Sequence, residues 1–182
     1  MSGTYIILLV LAVVIVGVIG LYNSLIRAKN QADESWSNID TQLKRRYDLI
    51  PNLVETVKGY AAHESGTFEK VIQARNVAMN AKGTAEKAQA ENMLTETLKS
   101  LFALSENYPD LKANQNFLQL QSTLGDTENQ IQISREQYNN AVNTLNTKIE
   151  VFPSNVIANW LKFTKRDFFK APEEEKQNVK VE

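Results

Sequence analysis

The amino-acid sequence predicts an all-α protein in which one N-terminal transmembrane helix precedes a helical bundle. Three observations lead to this prediction: an apolar run near the N-terminus, apolar side chains that recur every seven residues along much of the remaining chain, and a shortage of turn residues. Only seven glycines and four prolines occur in 182 residues, which favours helices over a turn-rich β fold. The chain after the apolar run is long enough for one compact domain, and a second is not expected.

The apolar run predicts a membrane anchor over residues 1–26. No side chain in residues 6–21 is polar, and Tyr5 and Tyr22 bracket the run, as aromatic residues often do at membrane interfaces. About 20 helical residues span the hydrocarbon core of a bilayer, which is about 30 Å thick. A cleaved signal peptide is the competing interpretation, but residues 1–4 lack the basic side chains that such a peptide carries.

Basic residues after the span predict its orientation. The first charged residue is Arg27, and Lys29, Lys44, Arg45 and Arg46 follow it. Because positively charged flanks stay on the cytoplasmic side of a membrane, we expect the N-terminus outside and the helical domain in the cytoplasm.

Residues 27–152 carry the periodicity of a helical bundle. The first helix has an apolar face that is broader than the seam of a two-stranded coiled coil. Its residues at seven-residue spacing are Trp36, Leu43, Ile50 and Val57. The last helix repeats this spacing at Phe117, Leu124, Ile131, Tyr138, Leu145 and Phe152. Pro51 predicts a kink within the first helix, and Pro153 predicts the end of the last one.

The number of helices between these two depends on Gly83. If Thr67 caps a second helix, Gly83 ends it and Thr84 caps a third, the domain is an antiparallel four-helix up-and-down bundle with a long first helix. If Gly83 only bends one helix, the domain has three long helices plus a short C-terminal helix. The periodicity leaves both arrangements open.

Residues 153–170 form a C-terminal segment that combines aromatic and basic side chains. The aromatic residues are Trp160, Phe163, Phe168 and Phe169, and the basic ones are Lys162, Lys165, Arg166 and Lys170. This combination predicts contact with lipid headgroups or a protein partner, and packing against the bundle is the purely structural alternative. Residues 171–182 are rich in charge and predict a flexible acidic tail.

Four charged residues fall on otherwise apolar helix faces. They are Arg46, Arg75, Glu128 and Arg135. Because a buried charge is costly unless it is paired, these side chains either reach solvent at the bundle edge or form an internal ionic cluster, with Arg46 or Arg75 opposite Glu128. Neither arrangement predicts a catalytic site.

Five stretches of the sequence, in this order, resemble the LemA family. They are NIDTQLKRRYDLIPNLVETVKGYAAHE at 38–64, VIQARNVAMNA at 71–81, SENYPDLKANQNFLQLQ at 105–121, TENQIQISREQYNNAVNTLN at 127–146 and FPSN at 152–155. The resemblance covers nearly all of the chain after the span. It implies a bacterial membrane protein with one N-terminal span, an antiparallel four-helix soluble domain and no assigned enzymatic activity.

The residue types exclude several classes of active site. The sequence has no cysteine and a single histidine, His63, which excludes a thiolate nucleophile, a cysteine zinc site and the usual carboxylate–histidine di-metal site of helical bundles. Neither a P-loop nor a hydrolase elbow motif occurs. A net charge of −1 provides no general attraction for nucleic acid. We therefore predict no enzymatic activity, no cofactor, no metal and no nucleic-acid partner.

The predicted function is that of a non-enzymatic scaffold or interaction protein anchored in the bacterial cytoplasmic membrane. Its predicted partners are the lipid bilayer, copies of itself and other envelope proteins. Self-association is expected because the second helix is shorter than the first, which would leave the stripe around Trp36 and Ile39 uncovered. The alternative is a lipid-binding protein of membrane remodelling or envelope stress.

Overall fold

A computed structural model describes residues 3–169, and all regular secondary structure within this range is helical. The helices are α1 (Gly3–Lys58), α2 (Ser65–Asn80), α3 (Gly83–Ser105), α4 (Pro109–Lys112), α5 (Gln115–Glu150) and α6 (Ser154–Trp160). The prediction of an all-α protein with a long first helix is therefore confirmed. Lys170 and the predicted tail over residues 171–182 lie outside the described residues.

Helix α1 begins in the predicted anchor and continues without a break into the domain. Its apolar side chains up to Ile19 are exposed, whereas Leu25 is fully buried. The exposed part is apolar and long enough to be a candidate membrane span. Protein contacts therefore begin to cover α1 within a few residues of the end of the apolar run.

Pro51 lies inside α1 and does not end it. Because proline has no N–H, the carbonyl oxygen four residues earlier, that of Tyr47, loses its usual helical donor. The Nε of Arg75 on α2 donates a hydrogen bond to this oxygen at 2.7 Å. Arg75 therefore replaces the hydrogen bond that Pro51 removes.

The helix is interrupted at residues 81–82, so α2 and α3 are separate helices and not one helix bent at Gly83. The prediction that Gly83 ends the second helix is wrong, because Gly83 is the first residue of the third. Helix α2 ends at Asn80 and α3 begins at Gly83. The φ angle of Gly83 is +76°, a left-handed conformation that glycine adopts without steric cost. The two helices then pack against each other.

The prediction that Thr67 caps α2 and Thr84 caps α3 is wrong. The N-cap residue of α2 is Glu64 and that of α3 is Lys82, so Thr67 and Thr84 lie inside the first turns. At α3 the backbone N–H of Lys82 donates to the carboxylate of Glu86 at 3.1 Å. The carboxylate thus binds the N–H of the N-cap residue itself, and the N-cap side chain makes no capping hydrogen bond.

The described chain divides into two compact units. The first contains residues 3–37 and 136–168, and the second contains residues 38–135 together with Phe169. Helices α1 and α5 each contribute residues to both units.

The core of the first unit combines Leu25 and two alanines of α1 with larger side chains of α5. Its buried residues include Leu25, Ala28, Ala32, Tyr138, Val142, Leu145 and Ile149. The rings of Trp36 and Tyr138 meet with their centroids 5.2 Å apart. The alanines let α5 approach α1 closely. This part of α1 is therefore covered by other residues of the same chain.

The second unit buries the seven-residue stripes that the sequence predicted. Its core includes Ile39, Leu43, Ile50, Leu53, Val57, Phe68, Val71, Leu94, Leu98, Leu101, Phe117, Leu124 and Ile131. Because Ile39 is fully buried and Trp36 packs on Tyr138, the expectation of an uncovered stripe at these two residues is wrong.

Candidate functional site

The second unit contains a buried ionic cluster centred on Arg46, which we call the Arg46 cluster. Its members are Arg46, Tyr47, Glu91, Thr95 and Glu128. The Arg46 side chain is 2% exposed, and its Nη1 lies 3.3 Å from Glu91 Oε2 and 3.2 Å from Glu128 Oε2. Its Nη2 donates to the Thr95 hydroxyl at 2.7 Å. The guanidinium thus has the charged and hydrogen-bonded partners that burial of a cation requires.

Glu91 is the most deeply buried carboxylate of the cluster. It accepts hydrogen bonds from Arg46 and from the Tyr47 hydroxyl. Burial raises the pKa of the Glu91 carboxyl above its ordinary value of 4.5, and the Tyr47 hydrogen bond and the charge of Arg46 oppose that rise. Burial and the adjacent Glu91 charge also raise the pKa of the Tyr47 phenol, so the phenol remains a hydrogen-bond donor at neutral pH.

Lys87 adds a second buried cation beside the cluster. Its Nζ donates to the carbonyl oxygen of Ala78 at 3.2 Å and lies 5.5 Å from the centroid of the Tyr47 ring. The donors and acceptors of this region come from α1, α2, α3 and α5. These ion pairs and hydrogen bonds therefore link four helices.

The structure separates the four charged residues that the sequence singled out. Arg46 and Glu128 come together in the cluster. Arg75 bonds the Tyr47 carbonyl oxygen instead, while Arg135 is buried with its guanidinium 4.7 Å from the centroid of the Phe169 ring.

Sequence reasoning missed Glu91 and Lys87, although a signal for both was present. Both residues continue the apolar stripe of α3 toward its N-terminus. Glu91 lies seven residues before Leu98, and Lys87 lies four residues before Glu91. The rule that selected Arg46, a charge on an apolar helix face, selects them as well.

In the first unit, the non-helical residues 161–168 return along α1 and α5. Arg166 Nη2 lies 2.5 Å from Asp33 Oδ1, and the Arg166 backbone exchanges two hydrogen bonds of 2.9 Å with Asn146. The Tyr138 hydroxyl donates to the carbonyl oxygen of Asp167 at 3.1 Å. These contacts hold the segment without a helix of its own.

The aromatic and basic residues that we predicted as contact residues differ in their exposure to solvent. Trp160, Lys162, Lys165 and Phe168 are exposed, Phe163 and Arg166 are half-buried, and Phe169 is buried. Lys165 pairs with Glu150. Phe169 is therefore core, and the basic residue predicted at position 170 lies outside the described residues.

The C-terminal end of α5 lies beside the end of the apolar run. The Lys148 ammonium contacts the Ser24 hydroxyl, and α5 ends two residues later at Glu150. Phe152 and Trp160, which follow, are 81% and 76% exposed. The sequence assigned Phe152 to a buried stripe, and that assignment is wrong because the helix has already ended.

A family model described as LemA family matches residues 35–182. The chain belongs to the LemA family. The match begins after the apolar run and covers the second unit together with residues 35–37 and 136–168 of the first, which confirms the family predicted from the five sequence stretches.

Curated relatives of this LemA-family chain include Protein LemA of Metamycoplasma hominis, which is 27% identical over 162 residues, 88% of this chain and 74% of the relative. Magnetosome protein MamQ 2 of Paramagnetospirillum magneticum is 24% identical over 174 residues. Magnetosome protein MamQ of Magnetospirillum gryphiswaldense has the same identity and length of match. Each of these two matches covers 81% of this chain and 64% of the MamQ protein.

Neither the comparisons nor the described residues of this LemA-family chain point to catalytic activity. Within residues 3–169, no group of three or more His, Cys, Asp or Glu side chains is placed to hold a metal ion. His63 lies exposed in the turn between α1 and α2, and the buried charges form ion pairs and hydrogen bonds within the fold.

Proposed function

We propose that this chain is a non-catalytic scaffold of the bacterial cell envelope. The span of α1 anchors it in the cytoplasmic membrane with the helical units on the cytoplasmic side, where they bind copies of the chain and other envelope proteins. The observation that supports this proposal is the continuity of α1, which leads from the candidate span into the packed core without a break.

A continuous helix has a different mechanical effect from a flexible linker. Within the first unit, it fixes the direction and the rotation of the helical surface relative to the span, whereas a linker lets a domain turn freely. A binding protein that must present one face beside the bilayer benefits from this rigidity. The internal pairing of the Arg46 cluster fits the same interpretation, because its charges stabilise helix packing.

The proposal predicts defined protein contacts at exposed apolar side chains of the domain. Met79, Met93, Leu118 and Ile133 are exposed in the second unit. A photo-crosslinking amino acid placed at each of these positions in living cells should give adducts of discrete mass, including a dimer of the chain.

Glu106 is the matched control position, because it is 61% exposed and polar. It should give weak or diffuse adducts. If none of the four apolar positions gives a discrete adduct stronger than that at Glu106, the scaffold proposal fails.

A further inference from the structure

The first unit has an exposed row of large apolar side chains, which we call the apolar ridge. It consists of Phe152, Val156 and Trp160, which are 81%, 59% and 76% exposed. Val156 and Trp160 are four residues apart on α6 and therefore share one face, and Phe152 precedes that helix. Large apolar groups exposed together usually mark a contact surface.

The position of the ridge along α1 is set by the contact between Lys148 and Ser24. Ser24 follows Leu21, the last residue of the apolar run, by three residues, which is about 4.5 Å along a helix. The ridge begins four residues after Lys148 and two after the end of α5. It therefore starts at the level where α1 leaves the hydrocarbon core.

The chain after the ridge leads away from that level. Arg166 pairs with Asp33, which is nine residues and about 13 Å beyond Ser24 along α1. The carbonyl oxygen of Asp167 is bonded by Tyr138. Phe168 thus lies farther along the helices. Within the C-terminal segment, the aromatic residues nearest the membrane are therefore those of the ridge and not those at its end.

Exposed cations surround the same end of the unit. Arg27 and Lys29 follow the span on α1, and Lys162 follows α6. Lys29 and Lys162 line one pocket, while the nearby Glu150 is paired with Lys165. Cations next to apolar groups at the membrane surface attract anionic lipid headgroups.

We propose that the apolar ridge inserts into the boundary between headgroups and acyl chains of the leaflet from which α1 emerges. Arg27, Lys29 and Lys162 then lie at the level of anionic headgroups. The chain thus has two membrane contacts, its span and the ridge. This inference goes beyond the scaffold proposal and holds whichever side of the membrane the domain occupies. A second copy of the chain is the competing occupant of the ridge.

Tryptophan quenching in the full-length chain tests this second contact. The sequence has two tryptophans, so Trp36→Phe leaves Trp160 as the only reporter and keeps an aromatic ring against Tyr138. The variant is placed in anionic nanodiscs that hold one chain and carry lipids with a quencher near the headgroup or deep in the acyl chains. We expect the shallow quencher to reduce Trp160 emission at least twofold and the deep quencher to act more weakly.

Trp160→Phe is the matched control, since it leaves Trp36, which lies twelve residues and about 18 Å beyond Ser24 along α1. Its emission should change little with either lipid. Replacing both Phe152 and Val156 by Ser should reduce the quenching of Trp160, whereas Ile133→Ser, an exposed apolar position in the second unit, should leave it unchanged.

Two results would overturn the proposal. One is equal quenching of Trp160 and Trp36 by the shallow lipid. The other is a Trp160 that stays unquenched in discs with one chain and shifts its emission to shorter wavelength only when two chains share a disc, because a second copy would then cover the ridge.

Discussion

At the residue scale, the two carboxylate partners of Arg46 differ in their exposure. Glu91 is fully buried, whereas the Glu128 side chain is 31% exposed. Removing one member of a buried pair leaves an uncompensated charge in a medium that solvates it poorly. A partly exposed partner is replaced more easily by water.

We therefore predict that Glu91→Ala destabilises the fold more than Glu128→Ala does. The first substitution should cost about 3 kcal/mol or more, and the second about 1 kcal/mol, because Arg46 keeps Glu91 and Thr95. Thermal unfolding of the full chain in mild detergent, followed by circular dichroism, measures both. Glu106→Ala, which removes an exposed partner of Lys112, is the control and should have little effect; equal losses for Glu91 and Glu128 would contradict the prediction.

The sequence identified part of this cluster and could not identify the rest. A charge on an apolar face can be read from periodicity, which selected Arg46 and Glu128. Which charges meet depends on the helices that become neighbours, and Glu91 lies 45 residues from Arg46 in the chain. The same limit applies to Arg75, whose partner is a backbone oxygen that no side-chain pattern reveals.

At the element scale, α1 stays continuous through Pro51 with the help of another helix. The carbonyl oxygen of Tyr47 has no helical donor and receives the Nε of Arg75 from α2. An acceptor left without a partner inside a fold costs about 1–3 kcal/mol. Pro51 and Arg75 should therefore be energetically coupled.

We predict that Arg75→Met costs about 1–2 kcal/mol in the natural chain and less than half of that in a Pro51→Ala background. Alanine at position 51 restores the N–H donor to the Tyr47 carbonyl oxygen, so that oxygen no longer needs the arginine. A double-mutant cycle on unfolding in detergent measures the coupling. Lys70→Met, at an exposed position of α2, should show none, and additive costs for Pro51 and Arg75 would refute this explanation of Arg75.

Element types were easier to predict from the sequence than element ends. The seven-residue spacing located α1 and α5, and the break between α2 and α3 falls at residues 81–82, directly before the glycine that suggested it. The caps were missed because Glu64 and Lys82 occupy positions where threonine is the commoner choice. Phe152 was misplaced because α5 ends at Glu150, two residues before the next position of the seven-residue repeat.

At the scale of the whole molecule, the orientation of the chain in the membrane remains a prediction. Protease added to intact spheroplasts should leave the helical domain undigested, and lysis should expose it. Replacing Arg27 and Lys29 with Gln and adding two lysines after Met1 moves positive charge from the C-terminal to the N-terminal side of the span. A fraction of the molecules should then insert in the opposite orientation. A periplasmic marker provides the control, and digestion of the natural chain before lysis would reverse the assigned topology.

The contact between Ser24 and Lys148 joins residues that are 124 positions apart, which has a consequence for biosynthesis. When the span has left the ribosome and entered the bilayer, the chain that completes the first unit has not yet been translated. The second unit, whose described residues are 38–135 and Phe169, has nearly all of its sequence available earlier. Folding should therefore begin in the middle of the chain, and the membrane-proximal unit should form only when the last part of α5 emerges.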